Sequence, residues 1–425
     1  MKIIQNFSVI ILSKVIIGIV GIAVYPIIIK NLTPSEYGNV SLFIVSLAMV
    51  QYIDFTRQLF IKKLYAKLTK KKEVRRVEVY NFVIISFIGC LVGLTYFRLE
   101  HTILILITIF FYAISSRRYA LLVLNNHAGY TQIAKDIPLS LGLVAAAIIA
   151  NFSSNINGIY YSLSIGQIIG SIIILSKDLR TCKNDKVFKE LENGSTLNES
   201  KFYSDAALLF LFNASVIVVA NAHRFFLERF IDPIEFGIYS AHIDMILRIN
   251  IISTAIATIA YPILVKEENK KRIAVNYIKT IHTLIYIYLI ISMILIAYYD
   301  EVIDLVIGKE YLTDNRMGMW VLISVSVQII GFMVTQLQRS NDNFKTSTAY
   351  YLASAIIILF TGYFLTPIIG VTSAIIMFYV PRIFEIKMLY SESKKINELA
   401  LMQNFKILNA VIILMISFTT YFYLK

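Results

Sequence analysis

Apolar stretches of about 20 residues recur from one end of this 425-residue chain to the other. A helix needs about 20 residues to cross the hydrocarbon core of a membrane, so each stretch is a candidate spanning helix. Hydrophobic residues make up 57% of the chain and the mean hydropathy is +0.70, well beyond an ordinary soluble domain. The sequence therefore predicts an all-α polytopic membrane protein. Its predicted spans lie near 7–30, 39–60, 79–98, 102–124, 134–151, 157–177, 203–227, 237–264, 276–299, 317–338, 347–366, 369–390 and 404–424.

Positive charge alternates between the connections that join these predicted spans. Lysine and arginine crowd the second, sixth, eighth and twelfth connections, within 62–76, 177–189, 266–272 and 387–395. The ninth connection is acidic instead, and it runs from Asp300 to Asp314. This is the positive-inside pattern, which predicts a cytoplasmic N-terminus. The formal net charge of +13 therefore indicates membrane topology, and we expect no nucleic-acid partner.

The sequence offers little to hold a cofactor. Cys90 falls in a predicted span and Cys182 in a predicted cytoplasmic loop, so no disulfide is expected. No Cys/His cluster has metal-ligand spacing, and no Gly-rich phosphate loop follows a strand. The longest hydrophilic stretch, about 178–201, is too short to form a soluble core. We expect a protein that acts within the bilayer without a metal, a cofactor or a chemical step.

A short motif occurs twice, as Thr33-Pro-Ser-Glu-Tyr-Gly38 and Asp232-Pro-Ile-Glu-Phe-Gly237. Each copy joins two long apolar segments, and the two prolines are 199 residues apart. This spacing aligns the first predicted span with the seventh and indicates a duplicated helical bundle. Parallel repeats of this kind usually place a substrate path at their interface. The predicted parts are an N-terminal six-helix lobe (1–177), a cytoplasmic linker (178–201), a C-terminal six-helix lobe (202–390) and an extra thirteenth helix (391–425).

The run Asn221-Ala-His-Arg-Phe-Phe-Leu-Glu-Arg-Phe-Ile-Asp-Pro-Ile-Glu-Phe-Gly-Ile-Tyr-Ser240 resembles a junction of Wzx-type polysaccharide flippases. Leu32–Gly38, Ile307-Gly-Lys-Glu-Tyr311 and Pro367-Ile-Ile-Gly370 resemble the same family in order and spacing. That family belongs to the multidrug/oligosaccharidyl-lipid/polysaccharide exporter superfamily. The chain departs from it at His223, where the family often has Asp before the Arg.

The resemblance implies a flippase in a bacterial inner membrane. Such a protein moves undecaprenyl-diphosphate-linked oligosaccharide units, for O-antigen or capsule, from the cytoplasmic to the outer face by alternating access. The resemblance also implies that transport is coupled to an ion gradient. The implied partners are the lipid-linked substrate, membrane lipids, a polysaccharide polymerase and a chain-length regulator.

Cationic side chains inside or next to spans are the candidates for binding an anionic substrate. An ionisable group within a span costs about 2.5–3.5 kcal/mol on insertion scales, so it usually faces a cavity or a partner. Arginine also binds phosphate in a bidentate geometry. Other interpretations remain open: Lys14 can pair with another helix, Arg57 with Asp54 at i,i+3, and Arg117 can anchor a helix end. The substrate candidates are Lys14, Arg57, Arg117 and Arg248.

A second set of residues is suited to ion coupling or gating. Asp244 and Arg248 are spaced i,i+4 and can pair on one helix face, as can Arg224 and Glu228. His242 is a candidate proton carrier because histidine titrates near neutral pH, although a lone histidine is often structural. Arg382 and Glu385, spaced i,i+3, are expected to form a structural pair. The coupling candidates are Asp54, His242 and Asp244, and the gate candidates are Arg224 and Glu228.

Three other functions remain open. A drug/cation antiporter of the same superfamily would favour acidic residues in its cavity. The basic residues Lys14, Arg57 and Arg248 therefore argue against an antiporter. A membrane polysaccharide polymerase would be an enzyme with a large outer loop or an acidic catalytic motif, for which Asp300–Asp314 is the only candidate. A purely structural role does not account for the intramembrane charges.

Overall fold

The computed structural model describes residues 2–53, 71–124, 127–177, 199–250, 270–312, 317–340 and 344–396, with residues 256, 412, 416, 419 and 420 besides. Every regular element in these ranges is helical. Ten of the described helices are long and apolar enough to cross a membrane. The prediction of an all-α polytopic membrane fold is confirmed. The predicted thirteenth span falls almost wholly outside the described residues.

The helices follow the predicted spans in order. The first half contains α1 (Lys2–Lys30), α2 (Pro34–Ile53), α3 (Lys71–Tyr96), α4 (Leu99–Leu124), α5 (Ala128–Ser153) and α6 (Ile156–Ser176). The second half contains α7 (Glu199–Phe230), α8 (Pro233–Leu247), α9 (Lys270–Ala297), α10 (Tyr299–Val306), α11 (Met317–Ser340), α12 (Phe344–Phe364), α13 (Thr366–Ile369) and α14 (Ser373–Ile396). Short 3-10 turns lie at Arg248–Asn250, Lys309–Tyr311 and Gly370–Thr372.

Both copies of the repeated motif act as helix start signals. At the first, the backbone N–H of Thr33 donates to the Glu36 carboxylate (2.9 Å), and the Glu36 N–H donates to the Thr33 hydroxyl (3.4 Å). This reciprocal pair is a capping box. At the second, the Asp232 carboxylate accepts from the N–H of Ile234 (2.8 Å), and Pro233 follows at the first helical position. The motif therefore begins α2 and α8 in equivalent ways.

The chain forms two compact units whose boundaries differ from the predicted lobes. The first unit comprises Met1–Val24 and Leu42–Ile217, and the second comprises Tyr25–Ser41 and Val218–Lys425. The linker 178–201 that the sequence placed between the lobes lies almost entirely outside the described residues. The first unit contains α3 to α6 with parts of α1, α2 and α7.

Small residues bring α5 and α6 close together in the first unit. A Cβ on Gly142 would lie 2.7 Å from the carbonyl oxygen of Ser162, and one on Gly166 would lie 2.6 Å from that of Pro138. Only glycine permits this approach of the two backbones. The seam is therefore built from backbone contacts, without large side chains between the helices.

In the second unit the two copies of the motif contact each other directly. A Cβ on Gly38 would lie 2.9 Å from the Phe236 ring, and one on Gly237 would lie 1.7 Å from the carbonyl oxygen of Pro34. This contact explains why 25–41, which belongs to the N-terminal repeat by sequence, is part of the second unit.

Helix α10 and the 3-10 turn Lys309–Tyr311 that follows it are hydrogen-bonded to the end of α1 and the turn after it. Tyr311 is fully buried, and its hydroxyl donates to the carbonyl oxygens of Ile29 (2.9 Å) and Leu32 (3.1 Å). Lys30 donates to the carbonyl oxygen of Leu305 (2.9 Å). Gly308 has φ of +104°, a conformation that favours glycine. The run 307–311 thus contacts the chain just before the first copy of the motif, Thr33–Gly38.

We predict that Gly237→Ala destabilises the protein, because its methyl group would overlap the Pro34 carbonyl. Overpacking of this kind costs about 1–3 kcal/mol, and here the obstacle is backbone. The melting temperature of the purified protein in detergent should fall. Gly158→Ala is the matched control, since the nearest atoms to its Cβ belong to side chains, Ile149 Cγ2 at 3.1 Å and Asn155 Cγ at 3.7 Å, and none belongs to the backbone. Equal melting temperatures for Gly237→Ala and the wild type would contradict the close turn-to-turn contact.

Candidate functional site

The carboxylate of Asp244 is the centre of a buried polar cluster in the second unit. It accepts hydrogen bonds from Arg224 (Nη2 to Oδ1, 2.8 Å), the Tyr37 hydroxyl (2.8 Å) and the Ser41 hydroxyl (2.7 Å). Arg224 also donates to the Ser41 hydroxyl. All four residues are buried. Three donors, one of them charged, are what a carboxylate needs away from water.

This pairing corrects two predictions from helical spacing. The structure pairs Arg224 with Asp244, whereas the sequence paired Asp244 with Arg248 and Arg224 with Glu228. The i,i+4 spacing allows a pair on one helix, but Arg224 on α7 and Asp244 on α8 lie close enough to pair with each other. Arg224 therefore belongs to the Asp244 cluster, and the clasp predicted for Arg224 and Glu228 does not form.

Arg248 occupies a different environment from the one predicted. Its guanidinium carbon lies 3.8 Å from the centroid of the Tyr25 ring, which is a cation–π contact. Its Nε has no hydrogen-bond partner, and no carboxylate among the described residues forms an ion pair with it. The side chain is partly exposed. The cluster thus contains two guanidinium groups and one carboxylate.

Both buried histidines beside the cluster are held by fixed hydrogen bonds. His242 Nε2 lies 2.8 Å from the Tyr311 carbonyl oxygen, so this nitrogen carries the proton and donates. Its Nδ1 then accepts from the Tyr299 hydroxyl (2.8 Å). His223 is held in the same way, between the Ala220 carbonyl (3.0 Å) and the Tyr239 hydroxyl (2.6 Å). With both nitrogens engaged, the geometry gives His242 a structural role and does not favour the proton carrier considered from sequence.

A second buried carboxylate, Asp136, organises a polar cluster in the first unit. It accepts from the Ser13 hydroxyl (2.6 Å), the Gln132 amide (2.7 Å) and the Lys14 ammonium (3.2 Å). Lys14 is therefore paired with another helix, the alternative left open by its sequence position. From sequence, Asp136 falls at the start of the fifth predicted span, near 134, where it would anchor a helix end; α5 begins already at Ala128, so Asp136 lies within the helix. Gln132, Asp136 and Ser140 are spaced by four, a polar stripe that marks one helix face.

The predicted Arg382–Glu385 pair is confirmed on α14. Tyr351 on α12 also donates to Glu385 Oε1 (3.1 Å), and all three side chains are buried. The pair acts within the second unit as a structural contact. Asp54 and Arg57 lie outside the described residues, as does the side chain of Arg117.

Known proteins share this fold at low sequence identity. No protein-family model matches the sequence, and no curated protein matches it. An outward-facing multidrug resistance MATE family transporter of the MOP superfamily has a TM-score of 0.58 and 15% identity, covering 94% of this chain and 96% of that one. MATE in the straight conformation has a TM-score of 0.58 and 14% identity, covering 95% and 96%.

The lipid II flippase MurJ, in an inward closed conformation, has a TM-score of 0.58 and 13% identity, covering 98% of this chain and 97% of that one. At these identities the likeness establishes the fold. The chain has the polytopic membrane fold of MATE transporters and MurJ.

We predict that removing either partner of the Arg224–Asp244 pair strongly destabilises the second unit. Arg224→Met would leave a buried carboxylate and Asp244→Asn a buried guanidinium, each costing about 3–5 kcal/mol. The double variant should lose less than the sum of the two single losses, because it leaves no unpaired charge of this pair. Melting temperatures in detergent measure the cycle. Arg229→Met, an exposed residue on the same helix, is the control. Additive losses would contradict a direct pair.

Proposed function

We propose that this protein is a flippase that moves an undecaprenyl-diphosphate-linked oligosaccharide from the cytoplasmic to the outer face of a bacterial inner membrane. The observation that carries the proposal is Arg248, a partly exposed guanidinium on a predicted span with no carboxylate partner among the described residues. It lies in a cluster with Arg224 and a single carboxylate, Asp244. Such a cluster has excess positive charge and is suited to an anionic group.

The neutralised carboxylates favour an anionic over a cationic substrate. Asp136, Asp244 and Glu385 are buried, and each is paired with an internal cation: Lys14, Arg224 and Arg382, respectively. A cationic drug that binds at one of these three carboxylates would have to displace its partner, whereas Arg248 has no ion-pair partner among the described residues. The drug/cation antiporter, which the fold shared with MATE also allows, is therefore the second candidate.

A diphosphate on a lipid fits both the side chain and the fold. Guanidinium is planar and binds phosphate oxygens through two parallel N–H donors. MurJ, which shares the fold, is described as a lipid II flippase. The sequence motifs described above resemble Wzx-type flippases, which supports an oligosaccharide as the head group. A polysaccharide polymerase and a chain-length regulator are the proposed partners.

The mechanism we infer is alternating access without a chemical step on the substrate. Arg248 is the proposed diphosphate ligand in the second unit, and Lys14, which pairs with Asp136 in the first unit, stays a predicted substrate ligand. Proton uptake by Asp244 would remove its charge and weaken its hold on Arg224, which makes Asp244 the proposed coupling residue. Arg57 and Arg117 stay predicted substrate ligands, and Asp54 a predicted coupling residue.

The accumulation of lipid-linked units tests the transport function in cells. Deleting the gene should leave these units on the cytoplasmic face, and a plasmid copy of the wild type should restore export. Unpolymerised units on the outer face would contradict the flippase and favour the polymerase. Normal export together with reduced ethidium efflux would favour the antiporter.

We predict that Arg248→Ala weakens binding of farnesyl diphosphate, a short polyprenyl diphosphate, to the purified protein. A hydrogen bond to a charged group contributes about 1.5–3 kcal/mol, so the Kd should rise about 10- to 100-fold. Arg248→Lys should retain part of the affinity, because it keeps the charge but loses the bidentate geometry. Arg229→Ala, an exposed arginine on α7, is the matched control. An unchanged Kd for Arg248→Ala would contradict its role as the diphosphate ligand.

A further inference from the structure

An apolar groove of about 500 Å³ runs along α5 and α6 in the first unit. Branched side chains form its walls, and Gly142 and Gly166 lie at its floor. Because these glycines let the two backbones approach closely, no large side chain fills the space above them. The walls include Ile133, Ile137 and Leu141 of α5 and Ile165, Ile169 and Ile173 of α6.

The groove has the length and surface of a site for a lipid chain. Its lining on α5 runs from Tyr130 to Ala145, which corresponds to about 22 Å at about 1.5 Å per residue. Leu141 is 64% exposed and Ile165 50% exposed, so the protein itself does not cover the walls. An exposed apolar surface on membrane-spanning helices contacts the hydrocarbon of the bilayer. A groove in this surface accommodates a single lipid chain.

Two cations lie at one end of the groove. Tyr130 forms that end, and Lys177 Nζ lies 4.8 Å from the centroid of its ring. Arg118 donates to the Lys177 carbonyl oxygen, and its Nε has no hydrogen-bond partner. No carboxylate among the described residues pairs with Lys177 or Arg118. The groove is thus apolar along its length and positively charged at one mouth.

We propose that this groove binds one anionic glycerophospholipid, with an acyl chain along α5 and α6 and the phosphate at Lys177 and Arg118. We choose an anionic lipid because its charge is complementary to Lys177 and Arg118. A zwitterionic head group would place its own cation near these two side chains. Lys177 starts a connection that the charge pattern assigns to the cytoplasmic side, where anionic lipids favour basic residues. The site is separate from the Arg248 cluster, which belongs to the second unit, and does not depend on the proposed transport.

Binding of two lipids with identical chains tests the head-group part of the site. Dioleoylphosphatidylglycerol should bind the purified full-length protein more tightly than dioleoylphosphatidylcholine, as measured by native mass spectrometry in detergent. Lys177→Gln should weaken phosphatidylglycerol binding about fivefold and leave phosphatidylcholine unchanged. Lys387→Gln is the matched control, since Lys387 also lies over a tyrosine ring, 5.7 Å from the centroid of Tyr350, but belongs to the second unit.

A groove-filling variant tests the chain part of the site. Ala145→Phe should reduce binding of both lipids, while an unchanged helical circular dichroism spectrum shows that the variant is folded. Equal affinity for the two lipids, or unchanged phosphatidylglycerol binding in Lys177→Gln or in folded Ala145→Phe, would overturn the proposal. Displacement of phosphatidylglycerol by equimolar polyprenyl phosphate would also overturn it, by assigning the groove to a polyprenyl chain.

Discussion

The second unit depends on the ion pair and hydrogen bonds of one buried carboxylate, that of Asp244. A carboxylate within a membrane protein is stable only when charged or hydrogen-bonding partners replace water. Here the partners are Arg224 on α7 and the hydroxyls of Tyr37 and Ser41 on α2. Tyr37 and Ser41 come from the first repeat, and Arg224 and Asp244 from the second. One buried charge therefore joins the two copies of a duplicated element.

The geometry of the repeated turns makes this arrangement attainable. Gly38 and Gly237 allow the beginnings of α2 and α8 to touch, and Tyr37 directly precedes the first of these glycines. Asp244 lies seven residues after Gly237, two helical turns along α8, on the face that meets Ser41. The Tyr311 hydroxyl also donates to the carbonyl oxygens of Ile29 and Leu32, which fixes the end of α1. The turn chemistry, the glycine contact and the charge cluster thus depend on one another.

The sequence predicted those features that arise from local patterns. Hydropathy identified the spanning helices, and the Thr33–Gly38 and Asp232–Gly237 motifs marked two equivalent helix starts. Arg382 and Glu385 were paired correctly because both partners lie on one buried helix face. The partners of Lys14 and Arg224 were not found, since Asp136 is 122 residues from Lys14 and Asp244 is on the next helix after Arg224. Helix contacts decide such pairs, and i,i+4 spacing carries no information about them.

The energetic position of Arg248 is the physical basis for proposing an anionic ligand at this cluster. Arg248 lies near the middle of the predicted span 237–264, where an arginine costs about 2.5–3.5 kcal/mol on insertion scales. A cation–π contact such as that with Tyr25 contributes about 0.5–2 kcal/mol, which offsets only part of this cost. Asp244 interacts with Arg248 electrostatically, but no carboxylate among the described residues forms an ion pair with it, and the proposed diphosphate would supply such a partner. Lys14 shows the contrasting case, because Asp136 already supplies its counter-charge. The proposal of an anionic substrate therefore rests on this one cation, which has no ion-pair partner among the described residues, more than on the total charge of the chain.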